Sequence, residues 1–117
     1  MDQQAAVQAL IDQLEPELDR VGMEKDGLVL QWAQMAGLEG DDADAFGVMQ
    51  QLEFNRLYND GQLDVVESDF VIPALPDNCP DDVLATRADA MALKEQLDRQ
   101  STLCAWLADQ LEAACAD

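Results

Sequence analysis

Carboxylates are the side chains of this sequence that could do chemistry. Of 117 residues, 25 are Asp or Glu against six Lys and Arg, there is no histidine, and the formal charge is −19. A carboxylate can serve as a general acid or base, ligate a cation, or stand in for phosphate as an acceptor of Arg and Lys hydrogen bonds. Acid–base work needs a cleft and one partner with a raised pKa, and a chain with so little tight-turn and glycine-rich apparatus announces neither. The missing histidine removes the Ser-His-Asp and Cys-His nucleophile systems, the histidine metal ligand and the physiological pH switch. Glycine-rich dinucleotide and phosphate-loop motifs are absent. No enzymatic activity and no cofactor are therefore expected.

Cation binding has one local pattern in its favour. Counting from Asp42, Asp44 is third, Gly47 sixth and Glu53 twelfth, as in a calcium loop, but the fifth place holds Phe46, which has no ligand oxygen. The same residues read better as the start of a helix. Three cysteines, Cys79, Cys104 and Cys115, form no Cys-x-x-Cys pair, and a zinc site would need all three plus a carboxylate. They are expected to be small core or near-surface residues in a reduced, cytoplasmic protein, and no metal site is expected.

Phosphate mimicry is left. The six cations, Arg20, Lys25, Arg56, Arg87, Lys94 and Arg99, are scattered, so the chain itself should repel nucleic acid and anionic membranes. Most have acids within helical reach: Glu17 and Glu24 for Arg20, Glu53 and Asp60 for Arg56, Asp98 for Lys94, and Glu95 for Arg99. The surplus is spread evenly, with 13 acids in residues 1–60 and 12 in residues 61–117. On a compact body about 35 Å across, 19 net charges give one per about 1.8 Å, close to the roughly 1.7 Å of duplex DNA. Two patches are the candidate partner-binding residues. One is Asp41, Asp42 and Asp44; the other is Glu95, Asp98, Asp109 and Glu112, which fall within about 100° of one another on a helix.

These residues need elements to hold them. An apolar fraction of 49 % is enough for a folded core, so the expectation is one acidic helical domain over residues 1–117. The fold class is all-α, a small bundle of about four or five helices. Ala6, Val7, Leu10, Ile11, Leu14, Leu18 and Val21 mark a first helix that Pro16 should kink or break near Glu15 and Gly22 should close. A short buried helix is expected between Gly27 and Gly37. A third follows Gly40, capped by Asp41, with Phe46, Met49, Leu52, Leu57 and Tyr58 as its apolar content and Asn59-Asp60-Gly61 as its end. Residues 62–80, with Pro73, Pro76 and Pro80, read as an extended linker across the core.

From Asp81 to Ala116 there is neither Pro nor Gly, and a long C-terminal helix is predicted. Straight, it would span about 54 Å, longer than a compact domain of this size, so it must either break or project. A break or bend near residues 86–92 is expected, because Val83 and Leu84 look out of phase with the later stripe of Leu93, Leu97, Gln100, Cys104, Leu107, Leu111 and Ala114. That stripe either packs on the protein's own first helices or forms a homodimer or partner seam.

No motif assigns the chain to a family. In size and acidity alone it resembles phage-encoded nucleic-acid mimics such as anti-restriction and some anti-CRISPR proteins, and no residue carries over from them. The resemblance implies an inhibitor or regulator that occupies the basic surface of a nucleic-acid-handling protein. The alternative is a small acidic chaperone, antitoxin or assembly factor that grips one partner through Leu97, Trp106, Leu107 and Leu111. A halophilic surface would produce the same acidity with no partner at all.

Overall fold

The computed structural model describes residues 3–76 and 78–115 and contains three helices: α1 (Gln3–Met35), α2 (Asp41–Asn59) and α3 (Asp81–Cys115). Among the described residues the all-α class holds, but three helices replace the expected four or five, because the interruptions expected at Pro16, Gly22 and Gly27 do not break α1. Pro16 lies inside an unbroken α1. It is solvent-exposed, about 160° around the helix from the fully buried Leu14, so its missing hydrogen bond falls on the convex, wet side. An interior proline costs about 3 kcal/mol, while each aliphatic side chain fully buried on either side of it returns about 1.5–3 kcal/mol. Leu14 and Val21 are two such side chains, and the helix continues.

Gly22 and Gly27 likewise sit within α1 rather than at its end. The glycine that stops the helix is Gly37, with φ +77: its N–H donates to Gln34 O, and the Leu38 N–H reaches back to Ala33 O at 2.9 Å. This is a Schellman ending, which needs a left-handed residue. Gly61, φ +71, closes α2 in the same way, with Gln62 N donating to Leu57 O. At the other end of α2 the cap is Gly40, not Asp41, and no side chain caps the helix.

α3 is unbroken to Cys115; Ala116, its expected last residue, lies outside the described residues. No break interrupts residues 86–92, and Val83 is in phase after all. Val83, Ala90, Leu97, Cys104 and Leu111 are seven apart and all buried, and the small Ala90 hides the continuity from an eye tuned to Leu. The seam faces α1, whose Val7, Ile11, Leu14 and Val21 form one cluster with Ala90, Leu97 and Cys104. Bonds along the interface keep a nearly constant offset: Gln4 to Thr86, Cys104 to the Val21 carbonyl and Cys115 to Met35 are separated by 82, 83 and 80 residues. α1 and α3 therefore run parallel. The C-terminal stripe is used within the chain.

A parallel pair requires a return limb as long as itself. α2 supplies the upper part, antiparallel to α3, with Phe54 against Leu103, Trp106 and Leu107. Nineteen helical residues cover only about 28 Å, so residues 62–76, which form neither helix nor sheet, cover most of the remainder. They run down α3 as expected: Val66 N donates to Thr102 Oγ1, Ser68 N to Asp98 Oδ1, and Arg87 Nε to Pro73 O. The result is a rod of 57 × 27 × 21 Å with a radius of gyration of 17.7 Å, against about 13 Å for a compact domain of this size. Of the two outcomes for the long helix, the molecule takes projection. Among the described residues, no helix is long and apolar enough to cross a membrane.

Candidate functional site

The first predicted patch is where the sequence put it. Asp41, Asp42 and Asp44 occupy the first turn of α2, exposed, at the positive end of the helix. The calcium pattern over the same residues has no loop to act in, because residues 42–53 are continuous α-helix. Among the described residues, no group of three His, Cys, Asp or Glu side chains could hold a metal ion.

The second patch does not form one surface. Glu95, Asp109 and Glu112 are exposed, but Asp98 is turned inward and only 9 % exposed. Its Oδ1 accepts the Ser68 N–H at 2.8 Å and its Oδ2 pairs with Lys94 Nζ at 2.7 Å. Burial pushes this carboxyl's pKa up, but the Lys94 bond and the Ser68 amide outweigh it and hold it below the ordinary value. The extended segment thus runs down this side of α3 past Thr102, Asp98 and Arg87, so Glu95 lies beside it, whereas Asp109, 14 residues and about 21 Å further on, lies above it. Helical phase alone does not reveal such a strap. Asp98 is therefore withdrawn from the partner-binding set.

All six cations are engaged. Arg20 binds Glu17 and Glu24, Arg56 binds Glu53 and Asp60, and Lys25 binds Asp26. Arg99 does not pair with Glu95. It donates to Asn55 Oδ1 at 2.9 Å and stacks 4.6 Å from the centre of the Tyr58 ring, pinning α2 to α3.

The continuity of α1 assembles an acidic surface that the sequence reading missed. Asp12, Glu15, Asp19 and Asp26 are spaced by three, four and seven, lie within about 60° of one another, and are all exposed. Among the described residues, Asp12, Glu15 and Asp19 have no ion pair. The expected break at Pro16 had placed Glu15 and Asp19 on separate segments. The three-four-seven spacing was the signal, and it becomes visible once the proline is allowed inside the helix. This stripe is about 21 Å long.

Charge density must be reckoned on the rod rather than on a sphere. Without Asp2, Asp77 and Asp117, which lie outside the described residues, 22 acids and six cations leave 16 net negative charges along 57 Å. That is one per about 3.6 Å, half the density of duplex DNA and close to the roughly 3.4 Å of a single strand.

The apolar grip expected of Leu97, Trp106, Leu107 and Leu111 is absent, since all four are core. Trp106 packs against Trp32 and Phe54 with ring centres 6.4 and 6.0 Å away. Exposed apolar side chains occur singly on α1 and the extended segment, Met23 and Val71 above all, but cluster on α2: Val48, Met49 and Leu52 are 61, 64 and 63 % exposed, while Phe54 is buried and Phe46, Leu57 and Tyr58 are partly so. Cys79 and Cys104 are buried and Cys115 exposed, and burial pushes the Cys104 thiol up to about 11. Compared with protein-family models, curated proteins and solved structures, the chain matches none.

Proposed function

We propose that this protein is a non-enzymatic inhibitor or regulator that lies in the basic nucleic-acid-binding surface of a protein or complex, in the place of a nucleic-acid strand. The observation that carries the reading is the rod itself, 57 Å long with one net negative charge per about 3.6 Å. The carboxylates of Asp12, Glu15 and Asp19, which have no ion pair among the described residues, supply acceptors for Arg and Lys, continued by Asp26. Asp41, Asp42, Asp44, Glu95, Asp109 and Glu112 extend the field. Occupancy would be steric and electrostatic, with fast, salt-sensitive association. The reading includes phage anti-defence inhibitors of the anti-restriction or anti-CRISPR type.

The test is retention of host proteins on the immobilised chain. Expected is a nucleic-acid-binding protein that elutes with salt, is competed off by excess DNA or RNA, and is lost when Asp12, Glu15, Asp19 and Asp26 are all replaced by Lys. A partner indifferent to salt, to nucleic acid and to that variant would overturn the reading in favour of a chaperone, antitoxin or assembly factor. The exposed apolar residues of α2 favour that second reading.

A further inference from the structure

α2 is apolar on two sides. Its inner side carries Phe54 into the core, while Ala45, Val48, Met49 and Leu52 fall at i, i+3, i+4 and i+7 on the outer side. Such a stripe ordinarily faces a core or a partner. Here it faces neither.

Beside it, between α1 and α2, opens a cleft of about 440 Å³. Leu103 and Leu107 of α3 are among its lining residues, Leu30 of α1 is 53 % exposed beside it, Asp44 contributes a carboxylate from α2, and Asp26 of α1 one that is paired with Lys25 at 3.0 Å. The helices approach closely at Gly47, where a Cβ would lie 3.2 Å from Val29 Cγ1. Stripe and cleft meet at Val48, giving an apolar surface with acidic flanks.

The flanking charge selects the occupant. A second copy of this chain would bring its own Asp41, Asp42 and Asp44 to a surface that already carries them, and an anionic lipid headgroup would be repelled equally. The complementary ligand has apolar residues to match the stripe and cations to meet Asp44 and its first-turn neighbours Asp41 and Asp42. We infer that the outer face of α2 and the adjoining α1–α2 cleft form a docking site for a cationic amphipathic helix of a partner protein. From Asp41 to Leu52 the surface is about 16 Å long, which is three helical turns of ligand. The inference goes beyond the strand-mimic reading: of the α1 stripe it touches only Asp26, at the cleft rim, and not Asp12, Glu15 or Asp19.

The probe is a fluorescent 14-residue Leu/Lys peptide with Leu at i, i+3, i+4 and i+7, compared by anisotropy with a scrambled peptide of the same composition. Amide shifts of the labelled protein report the location. Expected is binding at least tenfold tighter than the scrambled peptide, persisting in 0.5 M salt, with shifts concentrated in residues 25–33 and 41–52. Val48→Ser with Leu52→Ser should abolish the preference while leaving the melting temperature unchanged, since both side chains are already exposed. Lys substitution of the α1 stripe upstream of the cleft, at Asp12, Glu15 and Asp19, should leave the preference intact. Equal affinity for the scrambled peptide, or preference retained by the double Ser variant, overturns the site. Dimerisation of the free protein that the double Ser variant abolishes would instead assign the face to a second copy.

Discussion

Replacing Asp98 should damage the protein where replacing its neighbours does not. Its two oxygens hold the strap at Ser68 and the ammonium of Lys94, in a pair whose side chains are only 13 and 22 % exposed. A hydrogen bond to a charged group contributes about 1.5–3 kcal/mol, and Asp98→Ala removes two while leaving the Ser68 N–H unpaired, so a loss of about 3 kcal/mol is expected. With unfolding entropy of about 2.1 cal/mol/K per residue, this corresponds to a fall of about 12 °C in melting temperature. Asp98→Asn keeps an acceptor for Ser68 and should lose about half as much. Glu95→Gln and Asp109→Asn, which relieve self-repulsion on an exposed surface, should move the melting temperature by no more than about 2 °C. Thermal unfolding by circular dichroism measures all four, and faster hydrogen exchange at Ser68 should accompany both Asp98 changes. The pH dependence has a definite sign. The folded pKa of Asp98 is depressed, so its stabilisation is complete above the unfolded value of about 3.9 and is lost as pH falls through the lower folded value. Asp98→Asn should lack that part of the acid decline. A melting temperature for Asp98→Ala within 2 °C of the parent would refute the account of the strap.

Two further outcomes follow from the backbone and the thiols. Gly22→Ala and Gly27→Ala, at helical positions where an added Cβ meets nothing within 4 Å, should each stabilise by about 0.5–1 kcal/mol; Gly37→Ala, at φ +77, should destabilise by about 1–2 kcal/mol, and denaturant titration reads both signs. Titration with a thiol reagent at pH 8 should label one cysteine at once, Cys115, and reach Cys79 and Cys104 only on unfolding, because both are buried and the Cys104 thiol is pushed up to about 11.

What the sequence revealed and what it concealed divide along a physical line. Local signals were legible: the acidic first turn of α2, its Asn59-Asp60-Gly61 ending, the non-helical path of residues 62–76 and the helical character from Asp81 to Cys115 all stand. Tertiary compensation was not. Whether Pro16 breaks a helix depends on what Leu14 and Val21 bury against, and whether Asp98 faces solvent depends on a strap 30 residues away in sequence. Both errors reached the functional reading. The imagined break split the α1 stripe, and the unseen strap joined Glu95 to Asp109.

The rod changes what the net charge means. At physiological salt the screening length is about 8 Å, so charges at opposite ends of a 57 Å body do not act together on a partner. A basic surface meets instead the carboxylates within one or two screening lengths of each contact. The α1 stripe, about 21 Å from Asp12 to Asp26, is a cluster of that size, and three of its four acids have no cation of the chain to answer them among the described residues. Four neutralisations on the stripe, Asp12→Asn, Glu15→Gln, Asp19→Asn and Asp26→Asn, and four dispersed ones, Asp42→Asn, Asp64→Asn, Glu95→Gln and Glu112→Gln, leave the same net charge. If the local field governs binding, the first set weakens retention of the partner far more than the second; equal losses would mean that total charge, and not the strand-like stripe, is what the partner reads.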